Sequence, residues 1–187
     1  MSEQGNTVKL SGTAILAALV IVFDYTLKYS GLKIPFPWYP NIKFDFTGIP
    51  IALSLFLYGF PPSVMTSLVA GVGIVARSGN LISSSMKVAA EISTVAGIHL
   101  SRPIGKDGQI KARSKYLSWI TGIISRILVM NLVNLYVLSN VYHVPNQAIV
   151  GLLQLIAVFN AIQGAINIGL GYFIFEAVRS RLPQLVP

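Results

Sequence analysis

The feature that most constrains this chain is its last apolar stretch. From Gln147 to Phe175 no charged residue occurs, and about 20 such residues are enough for one helix to cross a bilayer. That helix is not uniformly apolar. Asn160, Gln163 and Asn167 fall within roughly a 60° arc at about 100° per residue, with Gly164 and Gly171 on the same side. Hydrocarbon offers an amide no hydrogen-bond partner, so the stripe turns inward. There it serves either as glue between helices or as contact to a ligand, and this helix alone leaves both open.

Apolar runs and their breakers extend the pattern to six spans, at about 8–27, 44–58, 63–76, 84–100, 116–139 and 147–178. The expected fold is an all-α integral membrane bundle of six transmembrane helices, one membrane domain over 1–187. Only 11% of residues are charged, against about 25% in soluble domains, which agrees with a chain that is nearly all membrane. Lys9 and the apolar run to Phe23 resemble a signal peptide, but Asp24, Tyr25 and Lys28 follow in place of a small-residue cleavage site, so the run reads as a retained first span. The loop between the first two spans holds Ile34-Pro-Phe-Pro-Trp-Tyr-Pro40, too rich in proline for a helix. The second and third spans are short for a full crossing, and Gly59-Phe-Pro-Pro62 divides them.

The net charge of +8 resides mainly in short flanks and one loop, where it sets topology and gives no ground for a nucleic-acid partner. An even number of spans puts Lys9, the basic Ser101–Lys115 loop, Arg179 and Arg181 on one side, so both termini are expected to be cytoplasmic. Lys28, Lys33, Lys43 and Arg77 fall on the other side. There is no cysteine, no phosphate-binding G-x-x-x-x-G-K-[ST] loop and no H-E-x-x-H, and the two histidines pair with nothing obvious. No metal site or catalytic grouping emerges, and an enzyme is not expected.

Three constellations remain. In the fifth span Arg126, Met130 and Asn134 share a face about 80° wide, flanked by Asn131. Arg126 costs about 3 kcal/mol at a helix centre if unpaired, so it needs a partner. Glu91 of the fourth span is the candidate, itself spaced i,i+4 from Lys87. A structural ion pair is the expected role of Arg126 and Glu91, whereas Asn131 and Asn134 lie nearer the outer end. The second constellation, Trp38-Tyr-Pro-Asn-Ile-Lys-Phe-Asp-Phe-Thr47, is either an interfacial aromatic belt or a lid. The third is a small-residue face, Ala14 and Ala18 with Gly12 and Ala17 nearby, where another helix could approach closely.

Several of these motifs together resemble the substrate-binding S component of energy-coupling-factor (ECF) vitamin transporters, most nearly its riboflavin-binding family. They are Phe44-Asp-Phe-Thr-Gly-Ile-Pro50 followed by Leu55-Phe-Leu-Tyr-Gly59, the series Gly122, Arg126, Met130, Asn134, and Phe159-Asn160 with Gly164. The chain departs from the family pattern at Val158 (usually proline), at Gln163 (often lysine) and after Ala90-Glu91. The resemblance implies a six-helix subunit of the plasma membrane that captures riboflavin from outside, as transported ligand and not as cofactor. Uptake would then need a transmembrane coupling subunit and two cytoplasmic ATPase subunits. The ligand's polar edge would meet Asn131, Asn134, Asn160, Gln163 and Asn167, and its apolar face Phe44, Phe46 and Trp38. Ala14 and Ala18 would dock on the coupling subunit. A different vitamin or nucleobase-like compound is the alternative ligand; a small membrane enzyme or scaffold is the alternative class.

Overall fold

The computed structural model describes residues 3–101 and 112–182, and these hold six helices and one short β-ribbon. Helix α1 spans Glu3–Tyr29, α2 Gly48–Tyr58, α3 Phe60–Ser78, α4 Leu81–Ser101, α5 Ala112–Asn140 and α6 Asn146–Arg181. The basic loop residues Arg102, Lys106 and Lys111 lie outside the described residues. By length and composition α1, α3, α5 and α6 can each cross a membrane. Leu10, Ile15, Leu128, Leu132 and Phe173 are more than half exposed, as expected of residues that face acyl chains in a multi-pass membrane protein.

The punctuation between helices is chemical. Gly59 adopts φ 91°, which separates α2 from α3, and proline in the first turn of α3 gives up only amides that would have no helical partner. Gly79 closes α3 in the left-handed conformation, its N–H donating to Val75 O at 2.8 Å. The Asn80 side chain then accepts from Ser83 N at 2.9 Å and caps the start of α4.

Helix α2 is the hub. At about 1.5 Å per residue it reaches only about 16 Å, half the hydrocarbon thickness, yet every one of its residues is buried. It packs against α1, α3, α4 and α6, while α1–α3, α3–α4, α4–α5 and α5–α6 pack in series around it. A short helix suffices because it faces protein on all sides. Its start corrects the sequence expectation. Hydropathy places the second span from Phe44, but the helix begins at Gly48, because the Asp45 carboxylate accepts from Thr47 N at 3.2 Å and Thr47 Oγ1 at 2.8 Å and holds the chain in a turn.

The proline-rich loop is more ordered than its composition suggests. β1 (Pro35–Phe36) pairs antiparallel with β2 (Tyr39–Lys43), and Phe44 N donates to Ile34 O at 2.7 Å. In a two-stranded ribbon both strands are edges, so Pro35 and Pro40 can turn their missing donors outward.

Helices α4 and α5 cross glycine on glycine. A Cβ on Gly97 of α4 would stand 2.9 Å from Gly122 Cα and 2.7 Å from Thr121 O; one on Gly122 of α5 would stand 2.6 Å from the Ile98 side chain. This contact brings the two helices near enough for the charged cluster above it to form.

Candidate functional site

Arg126 of α5 is 3% exposed and is satisfied from two neighbouring helices. Its Nη1 donates to Glu91 Oε1 at 3.1 Å, Thr94 Oγ1 at 3.2 Å and Ala90 O at 3.4 Å on α4, and its Nε to Asn160 Oδ1 at 3.0 Å on α6. Glu91, 1% exposed, also accepts from Lys87 Nζ at 2.8 Å and Asn167 Nδ2 at 3.4 Å. Lys87 reaches onward to Asp45 Oδ1 at 2.8 Å. Asp45, Lys87, Glu91 and Arg126 thus form one chain of alternating charge, each ion paired with its opposite.

Asp45 joins this chain to the loop between α1 and α2. Burial pushes its carboxyl up, but the Lys87 ammonium and the Thr47 donor outweigh it and hold the pKa down to about 2. Its backbone is also clasped by α6: Gln163 Nε2 donates to Asp45 O at 2.6 Å and Asp45 N donates to Gln163 Oε1 at 3.3 Å. Gln163 Nε2 further donates to Asn167 Oδ1 at 2.8 Å. The other end of the loop is anchored by Lys33, whose Nζ lies 2.7 Å from Asp24 Oδ1, while Arg77 Nε holds Asp24 Oδ2 at 2.7 Å.

Between these anchors the ribbon seats its aromatic face on α6. Phe36 is fully buried, with ring centroids 5.8 Å from Phe44 and 5.6 Å from Phe159, both edge-on; Phe44 and Phe159 lie 5.0 Å apart. Trp38, expected to cover an apolar face of the ligand, lies on the other side of Phe36. It is 65% exposed and touches Phe36 at 5.1 Å from outside, because Phe36 takes the inward position of the ribbon. Phe46 is half-buried just ahead of α2.

Of the amides, Asn160, Gln163 and Asn167 are buried and bonded to the charged chain or to Asp45. Asn160 also donates from Nδ2 to Ile156 O at 2.9 Å, and Asn134 Nδ2 to Met130 O at 2.7 Å. Asn131 Oδ1 is, among the described residues, the one buried side-chain polar atom without a partner. Ala14 and Ala18 are exposed on α1, whereas Gly12 and Ala17 turn inward and Gly12 lies against the Tyr58 ring. Sequence reasoning quoted Asp45 and Phe159 within motifs but gave no site role to them, to Phe36 or to the Asp24–Lys33–Arg77 anchor. A lone aspartate at the end of an apolar span was the available signal for Asp24. The three rings of Phe36, Phe44 and Phe159 pack on one another, and Asn160, Gln163 and Asn167 bond to the charged chain and to Asp45.

No family model matches the chain, and no curated protein matches it in sequence. Among solved structures, one described as the structure and mechanism of the S component of a bacterial ECF transporter superposes with a TM-score of 0.78, covering 95% of this chain and 98% of that one, at 19% identity. This chain has the fold of an S component. Within that fold, the charged chain and the clasp on Asp45 are built from side chains of α4, α5, α6 and the first loop.

Proposed function

We propose that the protein is the substrate-binding subunit of an ECF-type importer in the plasma membrane, with both termini cytoplasmic and riboflavin as its ligand. The observation that carries this reading is the clasp between the first loop and α6, where Gln163 holds both backbone groups of Asp45 beneath a ribbon whose Phe36 sits on Phe159. A loop tied at both ends over aromatic rings and amides suits a cover for a planar heterocycle. Phe36, Phe44 and Phe159 would stack on its rings, and Asn131, Asn134 and Asn160 would take its polar edge. The unpartnered Asn131 Oδ1 would receive an N–H or O–H donor. The subunit carries out no chemistry itself. Energy would come from two cytoplasmic ATPase subunits through a coupling subunit docked on Ala14 and Ala18.

Titration of the purified protein with riboflavin tests the reading by quenching of flavin fluorescence. Micromolar or tighter quenching is expected, reduced at least tenfold in Asn160→Ala, with a melting curve confirming that the variant folds. One observation favours a second ligand: Gln163 already gives its amide to Asp45, so fewer groups remain for the edge of a flavin. A protein that ignores riboflavin but is stabilised by another vitamin or nucleobase-like compound would establish that alternative.

A further inference from the structure

The buried charges around the proposed pocket sum to zero. Asp45 and Glu91 supply two negative charges, and Lys87 and Arg126 two positive ones, in a line of direct contacts of 2.8, 2.8 and 3.1 Å. Asn160, proposed to meet the ligand, is bonded to this line at Arg126, while Asn167 and Gln163 tie Glu91 and the backbone of Asp45 to α6. A ligand held by Asn160 therefore lies beside a line of four ions with no net charge to offer. In a medium of low dielectric a charged ligand would be left without a counterion, and would lose its hydration in exchange for nothing. Asp24, Lys33 and Arg77 form a separate group that closes on itself at the loop's other anchor. Lys28 and Lys43 are exposed, where water and salt screen them.

We infer that the Asp45–Lys87 pair is a specificity determinant that restricts the bound molecule to a net-uncharged one, excluding phosphorylated and cationic relatives of the ligand. This rests on the reading of the chain as a ligand-binding subunit. Asp45 and Lys87 set selectivity here because they are the outermost members of the line and the least buried, with side chains 18% and 11% exposed against 2% and 3% for Glu91 and Arg126.

The test is the ratio of affinities of the full-length protein for riboflavin and riboflavin 5′-phosphate, which share one ring system and differ in charge, at low salt. The wild type is expected to prefer riboflavin at least tenfold. Asp45→Asn leaves the line with one positive charge in excess and should narrow the ratio several-fold; Lys87→Gln leaves one negative charge and should widen it. A merely structural role would weaken both flavins alike and leave the ratio still. Equal or tighter binding of the phosphate by the wild type overturns the inference, as does a shift of the ratio in the same direction in both variants. Should either variant fail to fold by its melting curve, the wild-type ratio decides. If neither flavin binds, thermal shifts with uncharged, anionic and cationic heterocycles separate the two claims. Stabilisation by a charged one alone overturns this inference and spares the transport reading, stabilisation by an uncharged one alone upholds it, and stabilisation by none overturns both.

Discussion

Arg126 places its guanidinium on acceptors from α4 and α6 at once, so its removal leaves Glu91 buried with half its compensation. Breaking one side of such a pair costs about 3–5 kcal/mol, whereas replacing both partners by apolar residues is often close to neutral. Arg126→Met should therefore lower the melting temperature in detergent sharply, and Arg126→Met with Glu91→Met should recover much of the loss. Asp45 allows a second measurement at this scale. Its folded pKa of about 2 is depressed from an ordinary value of 3.8, so its contribution to stability is fully present above that value and is lost as pH falls toward 2. The shift corresponds to about 2 kcal/mol. The stability difference between wild type and Asp45→Asn should stay constant from pH 8 to pH 5 and shrink below about pH 4. Counting charges in apolar spans was enough to suggest Glu91 for Arg126, since few candidates exist in hydrocarbon. Nothing in spacing could link Asp45 to Gln163, which lie 118 residues apart and meet through a backbone.

Among the elements, α4 and α5 depend on an absence of side chains. Gly97→Val and Gly122→Val should each cost about 2 kcal/mol or more, because the new Cβ would meet the backbone of α5 at Gly97 and the Ile98 side chain of α4 at Gly122. Gly151 and Gly169 of α6 have nothing within 4 Å of where a methyl group would stand, so alanine there should be neutral or add up to about 1 kcal/mol. Melting curves of the four variants distinguish the two classes. This contrast is invisible in sequence, where all four glycines sit in similar apolar surroundings. Helix existence followed from hydrophobic runs and proline or glycine breaks. The ribbon did not, since Pro35 and Pro40 argue against strands except where every strand is an edge. The late start of α2 also escaped, because the turn at Asp45 comes from its own side chain and not from a helix-breaking residue.

For the whole molecule, the outward face of α1 should be separable from the proposed ligand site. Ala14 is exposed, so Ala14→Trp adds bulk without entering the core. It should leave riboflavin quenching unchanged while abolishing co-purification with a coupling subunit; loss of both together would place Ala14 in the fold itself. The hub position of α2 has a consequence for a shortened chain. Its permanent neighbours include α6, against which Ala52 packs at Gly171, and α6 begins only at Asn146. A chain cut before Asn146 therefore leaves the side of α2 that faces α6 uncovered, and such a fragment should be cleaved by added protease faster than the full chain.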